Sequence, residues 1–192
     1  MSPRTADPAV RAALIDAAAR VLAEEGPAAL TVRHLAEAVG ASTTAVYTHF
    51  GSMSELVRAV RREGFARFRA HLDAVPIGED PLLELIELGR AYLRNAFENR
   101  DLYRVMFMET PLDEDDAASG LDTFQRLVDA TQRAIDAGVY PGLRDAYWGA
   151  QQCWTTGHGA VSLVLTGLLT EDAAERLCGE IWMALYRVFA AA

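Results

Sequence analysis

The sequence predicts an all-α protein. Strict two-residue alternation of apolar and polar positions is almost absent, whereas helical spacing recurs along most of the 192 residues. The composition is rich in alanine, the strongest helix former. Proline and glycine fall at intervals that divide the periodic stretches into about nine helices.

The first helix is expected over residues 8–25, with Asp7 as N-cap, Pro8 in the first turn and Leu14, Ala18, Val21 and Leu22 on one apolar face. Gly26-Pro27 stops it. Thr31 is positioned to cap a short helix carrying Val32, Leu35, Ala36 and Val39, which Gly40 ends. Ser42 then caps a second short helix that runs through Phe50. Gly51-Ser52 leads into a long helix to about residue 75, with Leu56, Val60, Phe68 and Leu72 on one stripe. Residues 76–80 form a break, and further helices are expected over about 81–98, 101–109, 117–138, 143–168 and 171–190. The stretch from Pro111 to Asp116 reads as an acidic surface loop, and Tyr140-Pro141-Gly142 as a turn. The seam near residue 50 suggests two domains, 1–51 and 52–192.

Composition excludes several classes. At 51% hydrophobic and 23% charged, the chain can bury a core. No apolar run approaches the ~18 residues of a membrane span; the best candidate, 160–169, is interrupted by Ser162, Thr166 and Gly167. The N-terminal stretch does not resemble a secretory signal, so a cytoplasmic location with no membrane association is expected. Cys153 and Cys178 have neither zinc nor redox-pair spacing and read as small buried hydrophobes. No nucleophile elbow, phosphate-binding glycine loop, paired-carboxylate motif or metal cluster is present, which argues against an enzyme, a cofactor or a metal site.

The net charge of -9 is unevenly placed. Residues 1–75 carry 9 Arg and 8 acids, whereas residues 76–192 carry 9 Arg and 19 acids; there is no Lys. The N-terminal part is therefore close to neutral, and local placement decides whether it can meet DNA.

Residues 31–50 carry the functional signal. Two short helices are joined by a tight turn, with small Ala36 permitting close approach, Gly40 opening the turn and Val46 closing the pair. The same three positions would also suit a plain helical hairpin. The second helix separates the readings. Thr43, Thr44, Thr48 and His49 lie on its exposed side with Tyr47 beside them, and short hydroxyls reach phosphates and base edges without bulky charge.

The stretch from Thr31 through Val46-Tyr47-Thr48-His49-Phe50 resembles the DNA-binding domain of the TetR/AcrR family of transcriptional repressors. The resemblance covers about residues 8–60, including the Glu-Glu-Gly that ends the first helix and the Ser-Met-Ser-Glu-Leu that follows. It implies an all-α homodimer whose N-terminal helix-turn-helix reads a palindromic operator and whose C-terminal helices hold an inducer pocket and the dimer interface. Carried over by position, Thr43, Thr44 and Thr48 become base readers. Thr31, Ser42, Tyr47 and His49 become phosphate contacts, and Val46 and Phe50 become core. His34 reads as a solvated face residue, with a DNA contact as the alternative. The chain departs from the family at Met53, where a phosphate-binding Lys is usual; Arg33, Arg58 or the Arg4/Arg11 pair would have to supply that charge.

In the C-terminal part the bulky residues Tyr103, Met106, Phe107, Phe124, Tyr147 and Trp154, with polar Gln151, Thr155 and His158, are candidates for a pocket taking a small hydrophobic or aromatic inducer. Each also suits an ordinary core. Trp154-Thr155-Thr156-Gly157-His158-Gly159 places two glycines in a helix, at a cost of about 1 kcal/mol each. This stretch resembles a Trp-His-Gly motif of one TetR subgroup. The small residues Ala146, Ala150, Cys153, Gly157 and Ala160, with Leu177, Ile181, Leu185, Val188 and Phe189, point to a homodimer through the last two long helices. The expected function is a ligand-responsive repressor. The alternative is a helical small-molecule-binding or interaction protein that has lost DNA binding, with Met53 as its mark.

Overall fold

The computed structural model describes residues 7–108 and 114–191, and among them are nine α-helices and no strand. Local chemistry sets the first three. The Asp7 carboxylate accepts the Ala9 N–H and opens α1 (Pro8–Glu25). Gly26, at φ 81°, ends it and leads into a 3-10 turn, Pro27–Ala29. The Thr31 hydroxyl accepts the His34 N–H at the start of α2 (Val32–Val39). The Ser42 hydroxyl accepts the Ala45 N–H at the start of α3 (Thr43–Phe50). The turn between them needs Gly40, which sits in the left-handed region at φ 66° where a side chain would be strained. The rest follow as α4 (Met53–Asp73), α5 (Pro81–Glu98), α6 (Arg100–Phe107), α7 (Glu114–Asp136), α8 (Ala146–Leu165) and α9 (Glu171–Ala190).

The chain divides into two compact units. The first is formed by the described part of Met1–Ala66 with that of Asn99–Ser119, and the second by Arg67–Glu98 with the described part of Gly120–Ala192. Sequence reading places a boundary between residues 51 and 52; the division found here falls inside α4, and it groups α6 with the N-terminal helices.

In the first unit Leu14, Ala18, Leu22, Leu35, Val46, Leu56 and Val60 make one core, and Leu102 and Val105 of α6 belong to it. Arg104 of α6 also donates to the carbonyl of Ala23 near the end of α1, at 3.3 Å. Gly64 lets α6 approach α4: a Cβ there would stand 2.5 Å from the Met106 sulfur. Arg61 of α4 pairs with Asp116, and both side chains are buried. This corrects the expected solvated loop at 111–116. Residues 111–113 lie outside the described residues, and Asp116 is in the first turn of α7 with a buried partner. An uncompensated buried charge would cost several kcal/mol, so the acid there acts as a counter-ion.

In the second unit α8 lies on α9, and α5 packs on both. Trp182 ties the three together. Its indole N–H donates to the Cys153 carbonyl at 2.9 Å, and glycines stand where its ring meets α5 and α8. A Cβ on Gly89 would be 2.5 Å from the ring, and one on Gly157 would be 3.2 Å away. Gly157, unusual inside a helix, is thus explained by close approach. Ala150, Cys153 and Ala160 are buried on the same inward side of α8.

Glu84 of α5 accepts from Arg126 at 2.5 Å and from Arg133 at 2.5 and 3.1 Å, with its own side chain 1% exposed. Burial pushes its carboxyl pKa up, but the two guanidinium groups outweigh that and hold it below the ordinary range. Tyr140 stacks on Tyr186 at 5.9 Å, and its buried hydroxyl has no hydrogen-bond partner among the described residues. Removing a buried unpaired hydroxyl relieves a desolvation cost of about 1–3 kcal/mol. Tyr140→Phe is therefore expected to unfold at the same or a higher temperature, which thermal denaturation checks; a clear loss of stability would mean the hydroxyl is satisfied.

Candidate nucleic-acid interface

The helix-turn-helix is built by burying one side of each short helix. Leu35 and Ala36 of α2 and Val46 and Phe50 of α3 are inside the core, and the Ala41 N–H donates to the Ala36 carbonyl at 2.9 Å to fasten the turn. The opposite side of α3 is left to solvent. Thr43, Thr44 and Thr48 are exposed and Tyr47 is 53% exposed, although α3 has no Asp, Glu, Lys or Arg. Threonine and tyrosine hydroxyls on such a face can reach base edges and phosphates. The Thr48 hydroxyl donates to the Thr44 carbonyl at 2.8 Å, so it is engaged within the helix.

The remaining candidates divide by what already holds them. Thr31 and Ser42 are exposed at helix N-termini, where their hydroxyls serve as caps and neighbouring N–H groups favour anions. His49 is half-buried with its ring tilted against Phe50 at 6.0 Å. Arg33 is exposed and paired with Glu37 at 2.9 Å. Arg58 is paired with Glu55 at 2.8 Å. The guanidinium of Arg11 stands over the Phe50 ring at 5.3 Å, and Arg4 lies outside the described residues. Met53 is half-buried and packs against the core of this unit, so the position that departs from the family pattern has taken a packing role. His34 is not simply solvated. Its ring nitrogen lies 3.2 Å from the Ala29 carbonyl and ties α2 to the preceding turn.

Residues 14–60 match the family described as bacterial regulatory proteins, tetR family, and residues 85–187 match the tetracyclin repressor-like C-terminal domain. The chain belongs to the TetR family. Relatives agree with this membership. A repressor of Corynebacterium efficiens, the HTH-type transcriptional repressor AcnR, is 38% identical over 88 residues, covering 45% of this chain and 44% of that protein. An uncharacterized HTH-type transcriptional regulator of Mycobacterium tuberculosis is 27% identical over 161 residues, covering 84% of this chain and 72% of the relative. The chain thus matches under half the length of AcnR. Among solved structures, a Rhodococcus protein of unknown function superposes with a TM-score of 0.80 at 24% identity, covering 99% of this chain and 100% of its own. The TetR regulator PfmR of Thermus thermophilus superposes at 0.76 with 20% identity, covering 91% and 94%. Identities this low speak for the TetR fold alone.

The candidate pocket residues of this TetR chain fall into two groups. Tyr103, Met106 and Phe107 are in the first unit; Tyr103 and Met106 are buried, and the Tyr103 and Phe107 rings are 4.8 Å apart. In the second unit Phe124 meets Tyr147 at 5.3 Å and Trp154 at 5.9 Å, and Trp154 meets His158 at 5.3 Å. Gln151 is half-buried and Thr155 is exposed. Sequence reading missed Tyr92 of α5, whose hydroxyl lies 3.4 Å from His158 Nδ1. Burial lowers the His158 pKa, so its imidazole is neutral at neutral pH. No helix among the described residues is long and apolar enough to cross a membrane.

Proposed function

We propose that this TetR-family protein is a homodimeric repressor that reads a palindromic DNA operator with α3 and leaves it when a small hydrophobic inducer binds the second unit. The observation that carries the reading is the uncharged, exposed Thr43–Thr44–Tyr47–Thr48 face of α3 held on a buried Val46 and Phe50. One short helix reads few base pairs, so two half-sites about one helical turn apart are needed for specificity.

The face that supports dimerisation differs from the small-residue stripe expected from sequence. Ala150, Cys153, Gly157 and Ala160 pack within the chain. Phe189 is likewise buried. α8 leaves exposed Tyr147, Trp148, Thr155, Gly159 and Leu163, and the exposed residues of α9 include Leu177, Ile181 and Val188. Apolar side chains on two successive helices, with Gly159 among them, suit a four-helix contact with a second copy. For the inducer, the Phe124–Trp154–His158 cluster with Tyr92 offers aromatic surface and few polar groups.

Phosphate attraction on this interface is muted because Glu37 holds Arg33. Glu37→Gln is therefore expected to tighten operator binding several-fold and to steepen its salt dependence by roughly one unit of slope. Titration of the DNA next to the protein's own gene at two salt concentrations, beside a scrambled duplex, tests both points. An unchanged slope would remove Arg33 from the contacts, and no preference over the scrambled duplex would remove that DNA as the operator.

A further inference from the structure

Between α5 and α9, within the second unit, lies a cavity of about 710 Å³. That volume falls among small-ligand sites, which span about 300–1,000 Å³. None of Phe124, Trp154 or His158 lines it, so it is separate from the inducer cluster. Its apolar surface includes Phe97, Trp182 and Tyr186, the last two buried. Gly179 lines it as well, and a Cβ there would meet nothing within 4 Å, which leaves a bay in the α9 wall.

The charges around this cavity are the informative feature. Arg90 is paired with Glu87 at 2.6 Å, Glu98 with His71 at 3.0 Å, and Glu171 also has a partner. Arg94 on the α5 wall and Glu175 on the α9 wall are exposed and line the same cavity. They make no ion pair within 4.0 Å with each other or with any described residue. A ligand with one charge would match one wall and bring no partner to the other. A molecule with both charges and an apolar body matches both walls and the floor between them. Axes of packed helices run about 8–10 Å apart. An extended peptide spans about 3.3–3.6 Å per residue, so two or three residues cross that distance.

We propose that the α5–α9 groove binds a short apolar peptide with free termini, its carboxylate on Arg94, its ammonium on Glu175 and its side chains over Phe97 and Trp182. The proposal does not depend on DNA binding. Isothermal titration of the full chain with the dipeptide Phe-Leu, with N-acetyl-Phe-Leu and with Phe-Leu amide tests it. The free dipeptide is expected to bind about tenfold more tightly than either blocked form, as each lost charge-assisted contact predicts. In Arg94→Ala the penalty for amidation disappears and that for acetylation stays; in Glu175→Ala the reverse holds. Both side chains are exposed, and unchanged thermal unfolding confirms that the variants are folded. Equal affinity of the three peptides, no binding of the free dipeptide at millimolar concentration, or binding abolished by His158→Ala but retained in Arg94→Ala would each overturn it.

Discussion

Glu84→Gln is expected to destabilise the protein by about 3 kcal/mol. The carboxylate is the shared acceptor of Arg126 and Arg133, and its side chain is 1% exposed against 12% and 34% for the two arginines. Neutralising it leaves Arg126 nearly buried with no counter-charge. Breaking buried pairs of this kind costs about 3–5 kcal/mol, and the low end applies because Arg133 keeps contact with water. For a chain of this size that corresponds to a fall of roughly 6–12 °C in the unfolding midpoint. The pH dependence has a definite sign. The native carboxyl is held below its ordinary value, so its contribution is complete above about pH 4.3 and is lost as pH falls through the native value. Wild type and variant should therefore differ fully at pH 7 and converge in acid. Equal midpoints at pH 7 would show that the cluster contributes nothing. By contrast, Arg69 with Asp73 and Asp122 is exposed, and exposed pairs contribute little.

The second large effect concerns assembly. Ile181→Asp combined with Val188→Asp is expected to give a folded monomer that binds its operator at least about a hundredfold more weakly. Both side chains are exposed in the protomer, so the fold should tolerate the change. In a dimer each aspartate would be placed in an apolar contact without a partner, which strongly disfavours association. A monomer engages one half-site, and linking two sites multiplies apparent affinity by about 10²–10⁴. Sedimentation velocity with circular dichroism reads the assembly and the fold. A variant that remains dimeric would place the interface elsewhere.

Most of the first unit was legible because its signals are local. Asp7, Thr31 and Ser42 announce their helices by residue type, and each accepts an N–H two or three positions ahead. Gly26, Gly40 and Gly51 announce the ends, and all three have positive φ. The residues of α3 that face solvent follow from one helical period. The illegible features are long-range. Asp116 looked like part of an acidic loop, and its partner Arg61 is 55 positions away. Glu84 meets arginines 42 and 49 positions away, across two helices. Periodicity showed that α8 has a narrow small-residue face but not which neighbour it meets; that face met Trp182 and Tyr92 within the same chain. For the same reason the pocket residues on α6 and on α8 could not be assigned to different units from their residue types.

On the proposed reading, the exposed face of α3 reads DNA. The most direct measurement is a titration of wild type and Tyr47→Ala against one operator duplex and its scrambled counterpart at fixed salt. Tyr47 is 53% exposed and lies outside the buried core, so the variant should keep its fold. Wild type is expected to bind specifically and the variant to lose about tenfold to a hundredfold, with the preference over scrambled DNA reduced. Equal affinity of the two proteins for a duplex that wild type binds specifically would contradict it, because recognition would then lie on another surface.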